Sequence, residues 1–393
     1  MLKTERLHNI LTYGLVDIVG RIFKLLYMPV LAWLVSPEEY GKLSFFFSLT
    51  VFGIIIISFN LTNYIRHITL TRGNLRSNYI STIYLFLLAV TALLISFSFE
   101  EIYYRSIIIF SFCSATQMGA ASYYLALERK KLYLGFLLIV NFLGYALPFS
   151  IIYTKELVNF IDIIQTTLHF QVVTTIGVVI YLWHQRLLRF SKFRFEYLKE
   201  LLRLNTPLVM NSISGVGLIY IDRFFIEKYH GYEVLGNYTY AYNSFLVYGL
   251  LIQAAINSFI PSYYSQRNGS NHKSAEGLLH IYKRYALVFF PVGIVVYCLL
   301  VTFKPKDYIL DLGLFSILLS GAVFQYLYSL VVNKLHYLEY TRKVLYSTLV
   351  GFGVNIMANY LLVPKYDQYG AALATVLGYL SLFYSTRFFA NDV

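Results

Sequence analysis

Long runs that are apolar on every side of a helix alternate along the 393 residues with short clusters of charge and turn formers. A bilayer core about 30 Å thick is crossed by roughly 20 helical residues. Twelve stretches meet that length, at approximately 9–34, 43–64, 79–98, 106–127, 133–153, 163–183, 206–226, 236–262, 285–303, 309–332, 346–363 and 371–388. Runs such as Tyr84 to Ser98 and Val288 to Phe303 lack the apolar–polar alternation of a barrel strand. The pattern predicts an all-α polytopic membrane protein. Every second connection is short, as in SPEEYGK at 36–42, TKELVNFID at 154–162, KYHGYEVL at 228–235 and PKYDQYG at 364–370.

Composition agrees: 58% of residues are hydrophobic and 13% charged, with a mean hydropathy of +0.60, against about 25% charged in soluble domains. The net charge of +12 would suggest nucleic acid in a soluble protein, but its distribution gives another reading. With a cytoplasmic N-terminus, 22 Lys and Arg fall on the cytoplasmic side and seven on the other, leaving Arg21, Lys24 and Arg223 inside helices. The excess is a topology signal that puts both termini in the cytoplasm, and no nucleic-acid partner is expected. Asp17, Arg21 and Lys24 interrupt the first apolar stretch, which reads as an uncleaved helix rather than a signal peptide. Cys113 and Cys298 both fall in expected spans, so neither a disulfide framework nor a cysteine-rich metal site is expected.

The longest connection, 184–205, sets Leu187, Phe190, Leu198 and Leu201 at helical spacing among Arg and Lys, as an amphipathic helix on the anionic inner leaflet does. Six spans precede it and six follow. A shift of 195 residues lays SPEEYG at 36–41 on GYEVLG at 231–236, matching Glu38 to Glu233 and Gly41 to Gly236. An even count per half implies parallel repeats related by an axis along the membrane normal. The expected organisation is a six-helix bundle at 1–183, an amphipathic linker at 184–205 and a second bundle at 206–393, with a cavity between the bundles.

Three hairpins carry a family resemblance: LYMPVLAWLVSPEEYGKLSFFFSL at 26–49, IDRFFIEKYHGYEVLGNYTYAYN at 221–243, and LLVPKYDQYGAALATVLGY at 361–379. In that order they resemble Wzx-type flippases of polysaccharide repeat units, within the multidrug/oligosaccharidyl-lipid/polysaccharide exporter superfamily. The chain departs from the family pattern at Phe59 to Asn63, where small glycine-containing residues are usual, and at Asp367, where a glycine is common. The resemblance implies two bundles around a V-shaped lumen, alternating access, and a bacterial inner-membrane location. It implies as substrate an undecaprenyl-diphosphate-linked oligosaccharide moved from the cytoplasmic to the periplasmic leaflet for O-antigen or capsule synthesis. It also implies H⁺ or Na⁺ coupling, and contact with the polysaccharide polymerase and chain-length machinery.

Intramembrane charge points the same way. A charged group at a helix centre costs roughly 2.5–3.5 kcal/mol on insertion scales, so it is paired or faces a polar cavity. Asp17, Arg21 and Lys24 stand at i, i+4 and i+7 on one face. They form either a structural Asp17–Arg21 pair or a cationic stripe for a diphosphate, with Asp17 moderating the stripe or exchanging protons. Asp222 and Arg223, near the outer end of the seventh span, either anchor at the interface or line the lumen, Asp222 as a second ion-coupling candidate. Arg66 ends the second span on the cytoplasmic side, where an entering headgroup would pass. Gln117, Asn141 and Gln171 either bond between helices or line the cavity.

The sequence holds no H-E-x-x-H, G-x-S-x-G, Walker A or C-x-x-C pattern, and no cofactor is expected. Three classes compete: a lipid-linked oligosaccharide flippase, a cation-coupled exporter of small amphiphiles, and a membrane glycan polymerase. The short outer loops disfavour the polymerase, and the cationic stripe favours the flippase over the exporter.

Overall fold

A computed structural model describes residues 19–60, 102–127, 129–185, 195–244 and 272–391, with isolated positions at 91 and between 249 and 264. The expected third span at 79–98 is outside this set apart from one residue, as are Asp17 and Arg66. The described residues form ten helices: α1 (Ile22–Leu31), α2 (Pro37–Ser58), α3 (Ile102–Ala126), α4 (Lys130–Asn141), α5 (Leu147–Thr154), α6 (Phe160–His184), α7 (Phe195–Ser244), α8 (His272–Thr302), α9 (Leu312–Tyr337) and α10 (Thr341–Asn391). No strand occurs among the described residues. Seven helical stretches among them are long and apolar enough to cross a membrane. The protein is an all-α, multi-pass membrane protein.

Local chemistry sets the helix starts. Asn159 and Asp311 sit in extended backbone, and their side chains accept from Ile161 N at 3.0 Å and Leu314 N at 2.8 Å, capping α6 and α9. At the end of α2, Phe59 and Asn60 adopt positive φ (43° and 57°). Asn205 Nδ2 donates to both of their carbonyls, at 2.9 and 3.2 Å.

The two expected turns are present as tight kinks, each joining two helices. α7 runs through 228–235 with only Gly231 non-helical (φ 80°). α10 runs through 364–370 with only Tyr366 and Asp367 non-helical. α7 and α10 are therefore each two helices joined by a kink, matching the two spans expected in each, and Asp222 and Tyr238, from either side of the first kink, meet in a hydrogen bond. Asp367 takes φ 47°, ψ −132°, a conformation glycine adopts without a steric penalty. Its Oδ1 lies 2.8 Å from His230 Nδ1, while His230 Nε2 lies 2.8 Å from Val363 O, so one imidazole ties the two breaks together. Residues 195–205 of the expected linker form the first turns of α7, continuous with the seventh span.

The described residues fall into two compact units. The N-terminal unit lies within Leu15–Val35 and Phe46–Ile213, and the C-terminal unit within Ser36–Phe45 and Ser214–Val393. In the N-terminal unit the fifth span is α4 joined to α5 by a π-helical segment, Phe142–Ala146. The displaced carbonyl of Gly144 accepts from the buried Gln171 Nε2 at 3.1 Å, which meets the need a π-bulge creates.

In the C-terminal unit the repeat becomes physical. Gly41 and Gly236, matched by the 195-residue shift, pack against each other. A Cβ on Gly41 would lie 1.9 Å from Tyr232 O, and a Cβ on Gly236 would lie 1.8 Å from Pro37 O. Pro37 and Tyr232 are themselves 195 apart, so each contact is the image of the other. One turn along, Ser44 and Thr239, again 195 apart, share a hydrogen bond of 2.9 Å. Small residues let two helices approach at backbone distance where no hydrophobic force between them operates. Above this crossing the Tyr308 ring packs at 5.6 Å from Tyr40 and 4.7 Å from Tyr240. Burial pushes the Tyr308 hydroxyl far above the usual phenol range. The GAALAT run is buried at Gly370, Ala371, Ala372, Ala374 and Thr375, and a Cβ on Gly370 would lie 2.4 Å from Leu362 O. α8, by contrast, turns apolar residues such as Leu287, Val295 and Leu299 outward, where lipid rather than protein covers them.

Candidate functional site

Arg21 is the residue that begins α1, and Lys24 follows one turn later. Both line a cavity of about 90 Å³ inside the N-terminal unit. α3 contributes Ser114, Gln117 and Ser122, α4 contributes Tyr133 and Asn141, and the π segment contributes Tyr145. Lys24 lines this cavity with Nζ 5.8 Å from the Tyr145 ring centroid. No described residue lining the cavity is acidic. Two like charges on adjacent turns repel, and neutral hydrogen-bonding side chains beside them suit an anion.

A hydrogen-bonded frame holds the wall in place. Asn141 Nδ2 donates to Gly20 O at 3.0 Å and to Leu137 O at 2.8 Å, fixing the start of α1 against α4. A Cβ on Gly20 would lie 2.8 Å from the Leu137 Cβ, so this approach needs the glycine. Gln117 Nε2 donates to Gln171 Oε1 at 2.9 Å and to Thr175 Oγ1 at 3.0 Å. Tyr27 and Thr167 share a 2.5 Å hydrogen bond, and the Tyr27 ring meets Tyr145 edge-on at 5.4 Å. Of the candidates read from sequence, Arg21, Lys24, Gln117 and Asn141 are brought together. Ser114, Ser122, Tyr133 and Tyr145 were not singled out, although Ser111, Ser114, Gln117, Ala121 and Ser122 make a small-polar stripe at helical spacing that marks the same face.

Asp222 and Arg223 belong to the C-terminal unit and stand apart from this cavity's lining. They are 1% and 5% exposed, so neither snorkels to an interface. The Asp222 carboxylate accepts from the Tyr238 hydroxyl and, at 2.8 Å, from the backbone N of Arg223. The Arg223 guanidinium lies 4.5 Å from the Tyr220 ring centroid and 5.8 Å from that of Tyr242. No cluster of three metal-ligating side chains occurs among the described residues.

A family model described as a polysaccharide biosynthesis protein matches residues 30–303, well over half of the chain. The chain belongs to that family. No curated protein matches this polysaccharide biosynthesis family member in sequence. Among solved structures it is similar to lipid II flippase MurJ in an inward closed conformation, at 15% identity and a TM-score of 0.70, covering 96% of this chain and 87% of that one. It is similar also to a multidrug resistance MATE family transporter of the MOP superfamily in an inward-facing conformation, at 14% identity and a TM-score of 0.67, covering 95% of each chain. A MOP superfamily transporter from Pyrococcus furiosus Vc1, whose title reports a binding pocket of reverse polarity, aligns at 14% identity and a TM-score of 0.58 over 98% of this chain and 96% of that one. At these identities the likeness is one of fold, and the family member has the MOP superfamily fold.

Proposed function

We propose that the protein is a flippase for an undecaprenyl-diphosphate-linked oligosaccharide, carrying it from the cytoplasmic to the periplasmic leaflet by alternating access for O-antigen or capsule synthesis. The observation that supports this reading is the cavity in which Arg21 and Lys24 stand on adjacent turns of α1 among Ser114, Gln117, Ser122 and Asn141. Arg21 offers a planar fork to diphosphate oxygens, and Lys24 offers a point charge. Ser114, Gln117, Ser122 and Asn141 supply neutral hydrogen bonds around them. The cavity's size suits the charged diphosphate, so the glycan extends beyond it. Arg66 meets the headgroup on the cytoplasmic side, and Arg223 serves the same anion later in its passage.

The bundles at 1–183 and 206–393, joined by 184–205, are the units that alternate. Both termini face the cytoplasm across the inner membrane, a reading supported by the 22-to-seven distribution of basic residues. With no nucleotide motif in the sequence, exchange of H⁺ or Na⁺ at Asp17 or at the caged Asp222 drives transport, and the polysaccharide polymerase and chain-length machinery receive the product. A cation-coupled exporter of small amphiphiles would present acids to its cavity, which the described lining does not.

Reconstituted protein and a fluorescent undecaprenyl-diphosphate saccharide test the proposal directly. Wild type moves the label across the vesicle membrane, whereas Arg21→Ala loses at least tenfold in rate with unchanged folding. Equal transport of a phosphate-free amphiphile, insensitive to Arg21, would overturn the reading.

A further inference from the structure

A second cleft, of about 440 Å³, lies in the N-terminal unit between the end of α3, the start of α4 and the end of α6. Tyr123, Tyr124 and Tyr181 wall it, with Arg129 and Gln185 at its polar end. It is separate from the cationic cavity. On α3 the cavity takes Met118, Ala121 and Leu125, whereas the cleft takes Tyr123 and Leu127. The two linings share no residue, with Tyr124 of the cleft adjoining Gln117 of the cavity around the helix.

Three features give the cleft an anion's chemistry. Arg129 is exposed at the polar end and directly precedes α4, whose first turn turns free N–H groups and the positive end of its dipole toward the same place. Segment 128–131, ERKK, carries three cations and one acid. The Tyr124 hydroxyl, in a residue 5% exposed, has no hydrogen-bond partner although the charge of Arg129 and the Tyr181 hydroxyl both act on it. A buried hydroxyl left without a partner in a cleft is a donor waiting for an acceptor.

A fourth feature separates a lipid from a soluble anion. Leu132 and Ile139 of α4 are exposed on one face, and a Cβ on Gly135 between them would meet nothing within 4 Å. This open apolar strip begins at the cleft, since Leu132 lines both. A ligand seated here has a phosphate at Arg129 and hydrocarbon along α4.

We infer that the cleft formed by Tyr123, Tyr124, Arg129, Tyr181 and Gln185 binds the phosphate of an anionic phospholipid, with its acyl chains along Leu132, Gly135 and Ile139. The orientation proposed above enters only in assigning that lipid to the cytoplasmic leaflet. Basic clefts between membrane helices on that side hold anionic headgroups. The occupant is a bilayer lipid and not the transported substrate, because the cleft shares no lining residue with the cationic cavity and opens onto the exposed apolar strip of α4.

The test uses the full-length protein in nanodiscs or detergent, with phosphatidylglycerol, phosphatidylcholine and inorganic phosphate as probes. Native mass spectrometry and thermal denaturation should show phosphatidylglycerol retained and stabilising in preference to phosphatidylcholine. Arg129→Ala should weaken phosphatidylglycerol binding about fivefold, the effect of one basic side chain at a membrane surface, while Arg129→Lys keeps most of it and Lys155→Ala keeps all. Undiminished selectivity in Arg129→Ala, or equal stabilisation by inorganic phosphate, would overturn the assignment. Neither readout involves saccharide transport, so the result is independent of the flippase proposal.

Discussion

Replacing Gly41 with alanine tests the reciprocal glycine crossing. The added Cβ would lie 1.9 Å from Tyr232 O, where ordinary contact starts at 3.4 Å, and what it meets is backbone that cannot rotate aside. α2 and α7 must therefore separate by about 1.5 Å. That displacement carries the 2.9 Å Ser44–Thr239 bond one turn away beyond hydrogen-bonding reach. Overpacking costs about 1–3 kcal/mol, and a lost interhelical hydrogen bond in a membrane protein adds about 0.6 kcal/mol. The expected loss is about 2–4 kcal/mol, read by reversible unfolding in mixed detergent–SDS micelles. Gly236→Ala should match it, because the contacts are images of each other. The double variant should lose less than the sum, because both changes act on one crossing. Gly135→Ala, with nothing within 4 Å of its Cβ, should be neutral or stabilising by up to about 1 kcal/mol through helix propensity. Gly41→Ala within about 0.5 kcal/mol of wild type would refute the close crossing.

Three further outcomes follow from particular residues. Gln171→Leu removes the donor to Gly144 O and the acceptor of Gln117, so it should destabilise by about 1–3 kcal/mol; a neutral result in the same unfolding assay would discount the π-segment frame. Asp367→Gly loses the His230 contact but relieves the positive φ, for a net change within about 1 kcal/mol, whereas Asp367→Ala loses the contact and keeps the strain; greater stability of the alanine variant would contradict this. Cysteines at Glu156 and Glu339 should label with an impermeant thiol reagent in intact cells and only after permeabilisation, respectively, and the reverse would invert the proposed topology.

Most of the helices were legible because hydrocarbon imposes a length. The expected 163–183 lies inside Phe160–His184, and 309–332 matches Leu312–Tyr337 to within five residues at either end. The breaks were less legible. Loop composition at 228–235 and 364–370 marked the turns, but their tightness, one non-helical residue at Gly231 and two at Tyr366 and Asp367, is below what hydropathy registers. The π segment leaves no hydropathy signal either; it shows only through Gln171 on another helix. The Gly41–Gly236 match was visible as a repeat, but their direct contact depends on how the helices cross, which periodicity does not encode. For the site, the charges Arg21 and Lys24 were conspicuous because charge in hydrocarbon is costly. Tyr133 and Tyr145 were hidden among 38 tyrosines that belts and packing also use.

The central claim is that the cavity attracts its substrate by positive charge, and Lys24 tests it most directly because its side chain lines that cavity. Surface polysaccharide restored to a deletion strain, normalised to folded protein in the membrane, is the measurement. The account predicts near-full restoration by Lys24→Arg, a several-fold loss with Lys24→Ala and the largest loss with Lys24→Glu, all at unchanged abundance. Full restoration by Lys24→Glu at normal abundance would contradict it.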